Sequence, residues 1–121
     1  EELLARIRAL SRRKGELVLD DTLKFGDIEL NTSNLRLACG NKEVKLTLKE
    51  SELMEFLILR KNMASSKELI IEKIWGYDSD AEYNHVEVYI SFLRKKLAFL
   101  NSKVSINTVR GVGYSLEAAN V

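Results

Sequence analysis

The stretch His85–Leu116 reads HVEVYISFLRKKLAFL (85–100), NSKVSIN (101–107) and TVRGVGYSL (108–116), and its hydrophobic period changes from part to part. In the first part Val86, Ile90, Leu93, Leu97 and Leu100 are spaced by threes and fours. At about 100° per residue these positions form one narrow apolar stripe, the core side of a helix. The opposite side carries Asn84, Val88, Ser91 and Lys95, flanked by Glu87, Phe92, Arg94 and Phe99. Water alone does not favour a valine and a phenylalanine beside lysine and arginine, so this side is read as one that meets a partner. Residues 104–109 then alternate. Val104, Ile106 and Thr108 point one way and Ser105, Asn107 and Val109 the other, and Val109 leaves open which side is inward. Arg110-Gly111-Val112-Gly113 is a turn, and Tyr114 to Leu116 returns. Two glycines around one valine permit a tight turn and a close backbone approach to a partner.

Upstream, Thr47-Leu48-Lys49-Glu50 and Ser65-Ser66-Lys67-Glu68 each have the spacing of a capping box, in which a hydroxyl and a carboxylate cover orphan N–H groups at a helix start. They predict one helix running to about Arg60, with Leu53, Phe56 and Leu57 inward. They predict a second that buries Leu69, Ile70, Ile74 and Trp75 and stops at Gly76. The third helix is expected to start near Asn84. Before them lie five short strand-like runs: Leu17–Leu19, Leu23–Phe25, Ile28–Leu30, Leu35–Cys39 and Val44–Leu46. Gly26-Asp27, residues 31–34 and Gly40-Asn41 are the turns between runs, the last with residues that supply positive φ in a two-residue hairpin. This is an antiparallel meander that needs helices on one face. The segment EELLARIRALSRR (1–13) reads as a separate amphipathic helix, with Leu3, Leu4, Ile7 and Leu10 in phase. Together with the absence of an initial Met, it points to a piece of a longer chain, with residues 1–16 a remnant plus linker and 17–121 the domain.

Hydrophobic residues make up 45% of the 121, enough for a packed core and against disorder. A single cysteine, Cys39, excludes a disulfide framework and fits a reducing, cytoplasmic setting. No apolar run approaches the roughly 20 residues of a membrane span, and no secretory leader is read at the start. The net charge of +1 hides a division. Residues 84–113 hold Arg94, Lys95, Lys96, Lys103 and Arg110 against Glu87, a net of +4, whereas residues 21–83 sum to −3. A local basic patch of this kind attracts phosphate.

A helix with an apolar-and-basic outer side, followed by a hairpin with an arginine at its turn, suits duplex DNA. The helix enters the major groove, where arginine or lysine binds phosphate or guanine and apolar groups touch thymine methyls. The hairpin tip reaches a neighbouring phosphate or the minor groove. A plainer reading packs Val88 and Phe92 on another subunit or on the hairpin, and the rival function is a winged-helix module that binds protein and not DNA, with outward Val88 and Phe92 as its patch and Arg110 incidental. Steep loss of affinity with salt separates the two.

At these residues the chain resembles a known family. NHVEVYISFLRKKL followed by INTVRGVGYSL, together with LTLKESELMEFLILRKN and SSKELIIEKIWG, resembles the C-terminal effector domain of OmpR/PhoB-type response regulators. The likeness runs from about Leu23 to Leu116, and segment 1–13 resembles that family's last receiver helix and linker. The resemblance implies an α+β winged helix-turn-helix: a four-stranded antiparallel sheet, three helices and a C-terminal hairpin wing. It implies sequence-specific binding to double-stranded DNA as a tandem pair, under control of a receiver domain phosphorylated by a sensor kinase. The loop 76–83 would contact RNA polymerase. By position, Val88 and Phe92 would face bases, and Asn84, His85, Tyr89, Ser91 and Arg94 would lie near phosphates; the charge of residues 84–113 adds Lys95 as a phosphate contact. Arg110 would enter the minor groove, and Trp75, Thr108 and Tyr114 would help to position phosphates. Where relatives often carry arginine on the reading face this chain has Ser91 and Phe92, and Tyr89 replaces a common histidine, which predicts a different operator.

No catalytic constellation is read. His85 is the only histidine, and no second His or Cys stands at metal-ligand spacing, so neither a metal site nor a nucleophile–histidine pair is expected. Asp20-Asp21 and Asp78-Ser79-Asp80 lack the glycine and glutamate of a calcium loop and are read as turn residues. No cofactor is expected.

Overall fold

The computed structural model describes residues 22–76 and 80–119, so the run Leu17–Leu19, the domain boundary near residue 16 and the tip of the loop after Trp75 lie outside the described residues. Strands β1 (Thr22–Phe25), β2 (Ile28–Asn31), β3 (Arg36–Cys39) and β4 (Lys42–Lys45) form an antiparallel sheet in sequence order. Two of its turns are two residues long, since Phe25 pairs with Ile28 and Cys39 with Lys42. Each starts on a glycine in the left-handed region, Gly26 at φ 57° and Gly40 at φ 61°. Asn41 is not in that region, so at Gly40-Asn41 the glycine alone supplies the positive φ. The longer β2–β3 turn is held by Asn31, whose Oδ1 accepts the N–H groups of Ser33 (2.9 Å) and Asn34 (3.1 Å).

The first capping box forms as its spacing requires. Thr47 Oγ1 accepts the Glu50 N–H, and Glu50 Oε1 accepts the Thr47 N–H at 2.8 Å, opening α1 (Leu48–Leu59). Leu53, Met54, Leu57 and Ile58 of this helix are buried; Phe56, expected inward, is half-buried. The second start falls one residue later than its box predicts. Ser66, not Ser65, is the N-cap of α2 (Lys67–Ile70), accepting the Leu69 N–H at 3.0 Å. Ser65 is instead buried and forms a β-bridge to Tyr114, with N···O distances of 2.7 and 2.9 Å in the two directions. The helix continues through Trp75 as a π-helical stretch (Ile71–Trp75), closed by the Gly76 N–H on Ile71 O, and Gly76 at φ 99° ends it.

The third helix, α3 (Tyr83–Phe99), begins one residue before the expected Asn84, after the N-cap residue Glu82. Its phase is the one read from the sequence: Val86, Ile90, Leu93 and Leu97, with Leu100 just beyond, are all buried. Hairpin strands β5 (Val104–Val109) and β6 (Gly113–Ala118) follow. Val104 and Ile106 are buried while Ser105 is exposed, so the side left open by the alternation is the one with Val104. Sheet, helices and hairpin share one core, in which Ile28, Leu30 and Leu37 meet Leu53, Leu57, Leu93, Ile106 and Leu116.

Candidate nucleic-acid interface

The outer side of α3 is exposed along its length. Asn84, Glu87, Val88, Ser91, Phe92, Arg94 and Lys95 all face solvent, with Val88 45% and Phe92 40% exposed. A helix fixed by four buried apolar residues on one side, with Leu100 buried just beyond, must present the other, and this is what places Val88 and Phe92 outward. Phe92 is braced along an aromatic row: its ring meets Tyr89 edge-on at 5.6 Å, and Tyr89 meets Trp75 edge-on at 5.4 Å. The half-buried Tyr89 and Trp75 therefore brace the outer side of α3 at Phe92. Phe99 is turned away from it, against Lys42 of β4.

His85 has a structural task. Its Nδ1 accepts the Glu82 N–H at 2.9 Å, which occupies that nitrogen at the helix start and leaves Nε2 for a partner. Lys67, at the start of α2, donates to Glu87 at 2.8 Å and lies over the Tyr83 ring. That hydrogen bond holds the lysine above its ordinary pKa. The Tyr83 hydroxyl donates to Glu68, keeping the carboxylate below its usual range and the phenol above it. A shallow recess between these groups and the hairpin turn is lined by Lys67, Tyr83, Thr108, Val109 and Tyr114. Lys67 and Tyr83 were missed in the sequence. Ser65 taken as the cap puts Lys67 one position too deep in its helix.

The hairpin carries Arg110 at its exposed three-residue turn, between the paired Val109 and Gly113. Gly111 has φ 74° and open space around it. Gly113 is different. A Cβ there would lie 1.9 Å from Ser65 O, so the close approach that this glycine permits is to the body of the domain and not to a partner. Tyr114 is buried to 6% exposure beneath the turn, and Thr108 is exposed.

The basic count of residues 84–113 does not lie on one surface. Lys96 is turned to the sheet side, where its Nζ meets Glu50 Oε1 at 2.6 Å and Lys45 O at 3.1 Å. Lys103 stands at the opposite end of β5 from Arg110. Arg94 is engaged with the hairpin, donating through Nε and Nη2 to Ile106 O at 3.0 and 2.6 Å and through Nη2 to Thr108 Oγ1 at 3.0 Å. Lys95 and Arg110 are exposed and have no ion-pair partner among the described residues. Arg94 keeps part of its guanidinium free beside these two cations, while Lys67 is paired with Glu87.

A capped helix pair, an outward third helix and a docked hairpin define a winged helix-turn-helix. Residues 41–116 match the family described as "Transcriptional regulatory protein, C terminal". The chain belongs to this family and is the winged-helix DNA-binding effector domain of an OmpR/PhoB-type transcriptional regulator. It is 45% identical over 117 residues to the transcriptional regulatory protein DltR of Streptococcus agalactiae, covering 97% of this chain and 52% of that protein. It is 40% identical over 114 residues to the response regulator ArlR of Staphylococcus epidermidis, covering 94% of this chain and 51% of that one. The chain thus spans about half the length of the curated relatives it matches. Among solved structures, the C-terminal domain of the nisin resistance regulator NsrR superposes with a TM-score of 0.69 at 36% identity, covering 81% of this chain and 99% of that one. The DNA-binding domain of the response regulator AdeR, in complex with an intercistronic region, superposes with a TM-score of 0.70 at 27% identity, covering 80% and 100%. No helix among the described residues is long and apolar enough to cross a membrane.

Proposed function

We propose that this domain recognises operators with α3 in the major groove and the β5–β6 turn in the adjacent minor groove. The observation that carries this is the exposed side of α3, where apolar Val88 and Phe92 stand beside Ser91 and Lys95, next to a hairpin that presents Arg110. Val88 and the braced Phe92 contact thymine methyls. Asn84, His85 through Nε2, Tyr89, Ser91 and Lys95 approach phosphates, and Arg94 does so through the N–H groups that the hairpin leaves free. Trp75 and Tyr114 position the surfaces around them, and Thr108 lies beside the recess at the turn. With Ser91 and Phe92 on the reading side, recognition relies on methyl contacts more than on guanine. AdeR, caught on an intercistronic region, supports a DNA-facing use of the same fold.

The full protein of which this domain is part carries, on this reading, a preceding receiver domain controlled by a sensor kinase, with residues 1–16 at the join. It works in the cytoplasm, binds tandem half-sites about one helical turn apart so that both reading helices meet one face of the duplex, and contacts RNA polymerase through loop 76–83. The test is a salt titration on sites selected from random duplexes. Counterion release requires affinity to fall steeply and linearly in log salt, and Lys95→Ala should lower the slope by about 1. An affinity indifferent to salt would instead support the protein-binding use of Val88 and Phe92.

A further inference from the structure

The three hydrogen bonds of Arg94 tie the reading helix to the wing. Three of the guanidinium's five N–H groups are committed: Nε and one Nη2 hydrogen to Ile106 O, the other Nη2 hydrogen to Thr108 Oγ1. The same group lies 5.8 Å from the centre of the Tyr114 ring. Ile106 and Thr108 are on β5, and Tyr114, which pairs with Thr108, is on β6. One side chain of α3 therefore touches both strands of the hairpin, on the strand stretch that leads to Arg110. A lysine in its place has the charge but not the planar fork that reaches two acceptors and stacks on a ring.

We infer that Arg94 is a positioning residue: it fixes the distance and angle between the major-groove helix and the minor-groove arginine, and so makes the two contacts act as one. This rests on the proposed groove assignment. Two groove contacts on one rigid frame gain from each other, because docking the first places the second. If the frame loosens, each contact forms separately, and discrimination at the flank read by Arg110 weakens even though Arg110 is intact.

The experiment compares wild type, Arg94→Lys, Arg110→Ala and the double variant on one selected operator with an A·T or a G·C flank, beside backbone amide exchange of the free domain. Arg94→Lys should leave the thermal midpoint of the domain nearly unchanged but speed amide exchange in the wing relative to α3. It should lose most flank discrimination, and lose about tenfold in affinity on wild type but little on Arg110→Ala, since the two act through one unit. Equal losses on both backgrounds, or retained flank discrimination in Arg94→Lys, would overturn the inference; so would wing exchange identical to wild type. A wild type that itself ignores the flank defeats the groove assignment and the inference's DNA side together. Unchanged wing exchange defeats the inference alone.

Discussion

Two of the three glycine-turned hairpins among the described residues, β3–β4 and β5–β6, do opposite things. In β3–β4, Gly40 makes a two-residue turn at φ 61° with nothing within 4 Å of the place a Cβ would take. Its glycine is there for backbone conformation. In β5–β6, Gly113 does not have a positive φ, and a Cβ on it would collide with the backbone of Ser65. This strand glycine is there for space, whereas Gly111 in the turn itself, at φ 74° with nothing near it, serves backbone conformation as Gly40 does. The second hairpin is docked just below its turn on Ser65, by way of the Tyr114 bridge. It is docked at its base on the Gly26-Asp27 turn, where Asp27 accepts from Ser102 Oγ at 2.6 Å and from the Lys103 N–H at 2.9 Å. Only its tip, with Arg110, is free. A hairpin becomes a wing when everything except its turn is held.

This difference can be broken experimentally. The largest effect is expected from Gly113→Ala. The added methyl meets backbone, not a side chain that can rotate away, so the wing must lift from Ser65 or the α1–α2 turn must move. Overpacking of this kind should destabilise by about 3 kcal/mol or more, read from urea melts. A tolerated alanine would mean that the wing is not seated on Ser65.

Arg110→Ala is expected to leave those melts unchanged and to weaken specific binding by roughly 1–3 kcal/mol. It should also relax preference for A·T pairs beside the major-groove site, because a narrow minor groove favours an inserted arginine. Equal discrimination by parent and variant, on operators with G·C placed at that flank, would leave the wing a structural part only.

Gly40→Ala should cost about 1 kcal/mol, the penalty of a left-handed residue that carries a Cβ, with no change in DNA affinity. A loss as large as that of Gly113→Ala would erase the distinction drawn between the hairpins.

The smallest effect is a pH dependence at the base of the wing. Burial pushes the Asp27 carboxyl upward, but hydrogen bonds from Ser102, the Lys103 N–H and Cys39 outweigh it and hold the group below its ordinary 3.8. The unfolded chain thus binds the proton more readily than the folded one. The contribution of Asp27 is complete above that ordinary value and disappears as pH falls through the lower folded value. The difference in melting temperature between wild type and Asp27→Asn should be constant near neutrality and shrink only in strong acid. A difference that shrinks around pH 6 would exclude Asp27 as the cause.

Local rules were legible wherever a residue's partners lie within a few positions of it. The Thr47–Glu50 box, the stop at Gly76, the phase of α3 and the turns at Gly26 and Gly40 are of this kind, and so is the outward placement of Val88 and Phe92. Where two local rules competed, the sequence could not choose. Ser65 and Ser66 both suit a helix cap, and the wing took Ser65 for its bridge, moving the start of α2 by one residue. The side of β5 that faces inward was open for the same reason, until packing of Val104 and Ile106 on the core decided it.

For the described residues, sequence alone placed the strands and helices in their order and the helix side that is left for a partner, because periodicity and capping are properties of neighbouring residues. Tertiary structure decided the uses of the long, charged side chains. Arg94 and Lys96 look interchangeable in the run RKK. One is bonded across to the wing and the other to Glu50 on α1, so neither is the free cation that a count of charges supposes. A long flexible side chain takes the partner that folding brings within its reach, and that partner is 12 residues away in one case and 46 in the other.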